Sequence, residues 1–208
     1  MKHKNYRPLP RNFFSKPTLE IAKSLLGKYL FRDLNGQILS GMIVETEAYH
    51  EKNDPACHAH RGMTERNKVM FQSAGRLYVY FTYGMHYCMN IVTEDKGIGA
   101  AVLIRAVEPI DGIEIMSENR KHRNHNLCNG PARLCQAMKI DKNLNGMILD
   151  CDTVWIGKGI KISEEMIGVS ERIGISAGKE LLWRFFIKNN PAVTRYKARF
   201  NISGSLET

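Results

Sequence analysis

Short apolar runs alternate with polar, glycine-marked breaks, and their period changes along the chain. In KPTLEIAKSLLGKYL, Leu19, Ala22, Leu25 and Leu26 recur at helical spacing, predicting a helix with Pro17 in its first turn and Gly27 at its stop. FRDLNGQILSGMIVETEAY then switches to strand character on both sides of Asn35-Gly36, a pair that tolerates positive φ and predicts a hairpin. Its second strand runs through Met42–Val44 and is expected to end near Glu47. Pro55–Phe71 has no period. LYVYFT alternates, with Tyr78 and Tyr80 on one face and Leu77, Val79 and Phe81 on the other, before a predicted tip at Tyr83-Gly84. AAVLIRAVEP reads as a buried strand ending near Arg105, and IDGIEIMSEN as a short helix capped by Asp111. RKHRNHNLCNG reads as a loop and PARLCQAMKI as a helix opening at Pro131. TVWIGKGIKI predicts two short strands about a glycine turn, and LLWRFFIK one more. Strands outnumber helices and adjoin one another, so the fold class is α+β with a mostly antiparallel sheet.

Composition fits one domain over residues 1–208 with short terminal tails: 43% of the residues are hydrophobic and 25% charged. No apolar stretch follows the basic MKHKNYR start, and no run approaches the roughly eighteen apolar residues of a membrane span. A cytoplasmic protein is expected. The five cysteines include no C-x-x-C pair and no secreted-type framework, which favours reduced thiols. Thirty Lys and Arg against 21 Asp and Glu give a net charge of +9, favouring a polyanionic partner, nucleic acid first and acidic membrane surface second.

Within that basic chain, RLYVYFTYGMHYCMN holds four of the eight tyrosines. Tyr78 and Tyr87 fit a half-buried sheet. Tyr83, at the predicted tip, fits either a strand-type tyrosine packing a half-buried sheet or an aromatic wedge against bases. In GMIVETEAYH, Glu45 and Glu47 lie two apart and share a strand face; each reads as a solvated edge carboxylate or as a general base. PACHAHRG offers Cys57, His58 and His60, but no second ligand pair stands at metal-site spacing, so no metal is expected. Arg105, after four aliphatic residues, could hold a phosphate or pair with Glu108. Asn129-Gly130-Pro131 opens a helix whose first amides suit a phosphate, with Arg133 and Lys142 flanking it.

Taken in order, IVETEAY, His58, NKVMF, LYVYFTYGMHYCMN, LIRAVEP and NGPARLCQAMKI resemble the alkyladenine (3-methyladenine) DNA glycosylase family of monofunctional type, from about Asn12 to Phe186. The resemblance implies a curved sheet with surrounding helices and a protruding hairpin that inserts into duplex DNA carrying damaged purines. It implies a monomer that needs no cofactor, flips the purine and hydrolyses its N-glycosidic bond. Glu47 corresponds to the residue that activates water, and Tyr49, His58 and Tyr80 to the rings around the flipped base. Asn90 matches the filter against normal guanine, Tyr83 the residue that fills the vacated space, and Arg105 a phosphate contact. His86 stands where some members have tyrosine, and the short N-terminus suits a bacterial form.

The pocket so implied needs Tyr80 and Asn90 on one face. A two-residue turn at Tyr83-Gly84 would pair Tyr80 with Tyr87 and put Asn90 on the other, so a three- or five-residue loop or a bulge is expected. Two other readings are a non-catalytic binder of damaged DNA on this scaffold and a hydrolase of small nucleosides using Glu45 and Glu47. If Tyr83 is the wedge, Tyr83→Ala loses base-stacking energy of about 1–3 kcal/mol in capturing a lesion in a matched duplex. The loss shrinks where the lesion already lies opposite a mismatch. Titration of matched and mismatched lesion duplexes checks this, and equal losses count against the wedge.

Overall fold

The computed structural model describes residues 7–82, 84–121, 126–149 and 152–194. Within these residues eight strands form one curved antiparallel sheet: β1 (Tyr29–Leu34), β2 (Gln37–His50), β3 (Leu77–Thr82), β4 (His86–Val92), β5 (Ala100–Asp111), β6 (Val154–Gly157), β7 (Ile167–Ser170) and β8 (Arg184–Ile187). The main path is β3-β4-β5-β2-β1-β6; β8 pairs with β2, and β7 with β8. Among the described residues three helices, α1 (Thr18–Ser24), α2 (Ile113–Arg120) and α3 (Pro131–Ala137), accompany it. The α+β class and antiparallel sheet expected from the sequence are the ones observed. No helix among the described residues is long and apolar enough to cross a membrane.

β2 organises the sheet. One of its edges pairs with β5 from Ser40 to His50. Its other edge pairs first with β1, up to Met42, and then with β8 at Glu45, Thr46 and Glu47. The strand therefore does not end near Glu47: partners on both sides carry it to His50, and Glu45 and Glu47 are fully buried. The edge-carboxylate reading fails for that reason. β5 likewise continues past Arg105 to Asp111, whose carboxylate accepts a hydrogen bond from the Ser40 hydroxyl at 2.6 Å. Asp111 thus closes a strand, and Gly112 precedes α2 instead.

Smaller departures have local causes. Pro17 is the residue before α1, and Leu19 is exposed because Ile21, Ala22 and Leu25 form the buried stripe. The Thr18 amide donates to the Glu94 carboxylate at 2.9 Å, capping α1 from the loop after β4. Only one strand forms in TVWIGKGIKI: past Gly157 the chain turns over the α1–β1 junction, where the Ile160 amide donates to the Gly27 carbonyl at 3.0 Å. β1 and β2 meet at the Asn35-Gly36 turn, as expected, and LLWRFFIK supplies β8.

In the β3–β4 hairpin Thr82 pairs with His86, so three residues form the loop. Tyr80 faces Cys88 and Tyr78 faces Asn90 across the ladder. The one-residue difference from a two-residue turn puts Tyr78, Tyr80, Cys88 and Asn90 on a common face.

Gly27 and Gly36 both adopt left-handed φ, +79° and +84°, but a Cβ on Gly27 would lie 2.6 Å from the Ile160 carbonyl oxygen, whereas none of Gly36's neighbours would come within 4 Å. Gly36→Ala is expected to cost only the left-handed strain, about 1–2 kcal/mol. Gly27→Ala adds displacement of the backbone beneath α1 and should cost distinctly more. Urea unfolding of the two variants checks this; equal midpoints would contradict it.

Candidate active site

The ladder between β2 and β5 is irregular where the buried charges lie. Ile43 pairs with Val107, Glu45 with Ala106 and Thr46 with Ile104, which leaves Val44 on one strand and Arg105 on the other without a partner. Paired bulges of this kind re-aim side chains. Here the Arg105 guanidinium lies between the two glutamates, donating from Nε to Glu45 Oε1 at 3.0 Å and from Nη1 to Glu47 Oε2 at 3.1 Å. Arg184 on β8 donates from Nε to the same Glu45 oxygen at 2.7 Å. The Thr194 amide donates to Glu45 Oε2 at 2.8 Å. Two carboxylates and two guanidiniums thus share a site that water barely reaches. Burial draws the Arg105 guanidinium down, but Glu47 and Glu45 outweigh it and hold it above its ordinary range. Arg105 does not pair with Glu108, which accepts a hydrogen bond from Asn190 instead.

Glu47 has two further donors. The Tyr49 hydroxyl donates to Oε2 at 2.8 Å and the Ile173 backbone amide to Oε1 at 2.7 Å. Burial, reinforced by Glu47, raises the Tyr49 phenol well above its usual range, so it remains a proton donor to the carboxylate. Among the described residues, Oε2 therefore has two donors and Oε1 one, and a carboxylate oxygen offers about two acceptor sites. The remaining site on Oε1 suits a water molecule.

Beside this cluster lies a cavity of about 460 Å³. Tyr49, His58, Met70, Tyr78, Tyr80, Cys88, Asn90, Leu103, Arg105 and Pro131 line it, together with Ile173, Gly174, Ile175 and Ser176. Glu47 is not in that lining; its partners Tyr49, Arg105 and Ile173 are, so the carboxylate sits one layer behind the wall. His58 Nδ1 and the Tyr78 hydroxyl are 3.0 Å apart, and the His58 ring packs edge-on to Tyr80 with centroids 4.6 Å apart. Desolvation, with Arg66 nearby, lowers the His58 pKa, keeping the imidazole neutral at pH 7. Burial pushes the Tyr78 phenol up to about 12 and raises those of Tyr80 and Cys88 as well, so these lining groups stay uncharged. The Asn90 amide is buried and donates to the Tyr78 carbonyl at 3.0 Å.

The fold brings Glu47, Tyr49, His58, Tyr80, Asn90 and Arg105 together at one cavity and its wall. Tyr83 lies outside the described residues. Arg133 is exposed and donates to Asn129 Oδ1 at 2.6 Å, two residues from Pro131, which lines the cavity. Lys142 is exposed on a short 3₁₀ turn and does not line the cavity. Cys57 is buried toward the Gly99 carbonyl while His58 turns to Tyr78, and no metal-binding group of three or more His, Cys, Asp and Glu residues occurs among the described residues.

Sequence reading passed over Arg184, Ile173 and Arg66. Arg184 carried a signal, a charge inside the apolar run LLWRFFIK, which on a central strand demands a buried partner. Ile173 had none, since it acts through its backbone amide. Arg66 is exposed, with its guanidinium 5.8 Å from the Tyr80 ring centroid.

The family model of methylpurine-DNA glycosylase matches residues 12–191. A protein of Carboxydothermus hydrogenoformans provisionally named 3-methyladenine DNA glycosylase is 53% identical over 189 residues, covering 90% of this chain and 98% of that one. Proteins with the same provisional name from Methanocella arvoryzae and Francisella tularensis are 48% and 50% identical, covering 90% and 86% of this chain and 96% and 94% of theirs. With its alignment running through the ETEAY strand, the tyrosine hairpin and the loop that carries Ile173, the chain belongs to the methylpurine-DNA glycosylase family.

Proposed function

We propose that this protein is a monofunctional DNA glycosylase of base excision repair: it flips an alkylated or deaminated purine from duplex DNA and hydrolyses its N-glycosidic bond. The observation that carries the reading is Glu47, a buried carboxylate with one acceptor site left, placed behind the wall of a ring-lined cavity. Base extrusion costs a few kcal/mol of stacking, least where pairing is already damaged. The cavity volume falls within the roughly 300–1,000 Å³ of small-ligand sites, room for one base. Tyr49, Tyr80 and His58 present ring faces and edges to it, and such rings favour the positive charge of a 3- or 7-alkylated purine. The amide of Asn90 is fixed by the Tyr78 carbonyl, so it cannot swing aside for the exocyclic amino group of guanine.

Alkylation makes the purine a good leaving group. The protein must then supply a nucleophile and stabilise an oxocarbenium-like sugar. Water on Glu47 Oε1 attacks C1′, its proton passes to Glu47, and the C1′–N bond breaks to leave an abasic site. The fixed negative charge of Glu47 steadies the cationic sugar at no reorganisation cost. Among the described residues no lysine lines the cavity, which supports reading the reaction as simple hydrolysis that leaves the strand intact. Arg105, already on the wall, serves the phosphate beside the flipped nucleotide, with Arg133 and Lys142 as outer contacts and Tyr83 filling the vacated stack. We assign the protein to the cytoplasm as a monomer acting without a cofactor.

Glu47→Gln is expected to cut single-turnover excision by at least the roughly 10²–10⁴-fold that general bases contribute. Affinity for lesion duplex should stay within a few-fold, because the cavity lining is unchanged. Parallel loss of binding and turnover would instead make Glu47 a structural residue. Asn90→Ser should increase excision or binding of guanine, measured with undamaged duplex. Unchanged guanine rejection would place the filter elsewhere.

A further inference from the structure

The segment after β7 forms part of the cavity wall without being a strand or helix. Arg172 holds it. This residue is 2% exposed, and its guanidinium makes a two-pronged pair with Asp54, Nη1 to Oδ2 and Nη2 to Oδ1, both at 2.7 Å. Nη1 also donates to the Ala48 carbonyl at 3.0 Å and Nη2 to the Gly178 carbonyl at 3.2 Å. The guanidinium lies 4.7 Å from the Tyr49 ring centroid and 5.4 Å from that of Trp183.

Two of these anchors adjoin Glu47. Ala48 is the next residue along β2, and Tyr49 donates to Glu47 Oε2. Ile173, directly after Arg172, donates its amide to Glu47 Oε1. A loop amide would otherwise move with its loop, and a phenol ring can turn about its χ angles. Arg172 removes both freedoms, since the planar pair with Asp54 fixes the guanidinium and the ring stack fixes Tyr49. We infer that Arg172 is a positioning residue for the catalytic carboxylate, holding the Ile173 amide and the Tyr49 hydroxyl on the two oxygens of Glu47. The inference rests on Glu47 being the base.

A buried ion pair with a purely structural role can be replaced by a neutral pair of similar volume at little cost. The decisive variant is therefore the double substitution Arg172→Met with Asp54→Asn, which leaves no uncompensated buried charge. Arg172→Lys is its companion, keeping the charge beside Asp54 while losing the two-pronged geometry and the flat stack. Each is measured for thermal midpoint, affinity for lesion duplex and single-turnover excision, alone and combined with Glu47→Gln.

The double variant is expected to melt near the wild type and bind lesion duplex within a few-fold, yet excise about 10–100-fold more slowly, as a displacement of about 1 Å in a reacting group would cause. Arg172→Lys should fall between the two. On the slow Glu47→Gln background neither change should reduce the residual rate further, because both act through the same carboxylate. A folded double variant with wild-type excision overturns the inference, as do losses that multiply with that of Glu47→Gln. If the double variant does not fold, Arg172→Lys decides by the same criteria. Should Glu47→Gln alone excise at the wild-type rate, the base assignment itself fails; a slow Glu47→Gln beside a fast Arg172 variant refutes only the positioning role.

Discussion

The architecture of this protein depends on burying two carboxylates against two guanidiniums in the middle of a sheet. Glu45 and Glu47 are flanked on one side by β5 and on the other by β8, and both are fully buried there. Removing one partner of a buried ion pair typically costs about 3–5 kcal/mol, so the surrounding elements must deliver their donors together. They do so from distant parts of the chain: Arg105 from β5, Arg184 from β8, and backbone amides from Ile173 and Thr194. The bulged register between β2 and β5 is the geometric cost of fitting Arg105 between the carboxylates. Glu45 closes this network from within, while Glu47 faces the cavity wall through its partners.

The hairpin solves a separate problem of parity. Side chains on a strand alternate, so one residue more or less in the loop decides whether Asn90 shares a face with Tyr80. Three residues between Thr82 and His86 put both on the cavity side and leave Phe81 and Tyr87 packed on the back, ring centroids 5.1 Å apart. A single hairpin thereby supplies part of the ring lining, the buried amide and an exposed tip carrying Met85.

Much of this was legible in the sequence, and the limits have physical causes. The Asn35-Gly36 turn, the alternation in LYVYFT and the helix opening at Pro131 are local, so local residues specify them. Requiring Tyr80 and Asn90 to converge left a three- or five-residue loop or a bulge, and the Thr82–His86 pairing is the three-residue case. The ends of β2 and β5 were misplaced because a strand continues for as long as it has partners, and β8, more than 130 residues from Glu45, is invisible to a local pattern. Asp111 read as a helix cap because its hydrogen bond to Ser40 spans 71 positions. From local pattern alone Glu45 and Glu47 read more readily as solvated edge carboxylates, for the same reason. Arg172 and Ile173 left no mark, since one acts through a pair with Asp54 and the other through a backbone amide that any residue but proline possesses.

In the proposed reaction, a carboxylate held behind a ring-lined cavity drives hydrolysis of a purine–sugar bond and nothing further along the strand. The most direct measurement follows an end-labelled duplex methylated on its purines, scoring free base released and strand nicking before and after alkali. The account predicts released methylpurine with nicks that appear only after alkali. Nicking without alkali would reveal an amine-dependent lyase step, and intact duplex with no base released would leave the carboxylate without the role assigned to it.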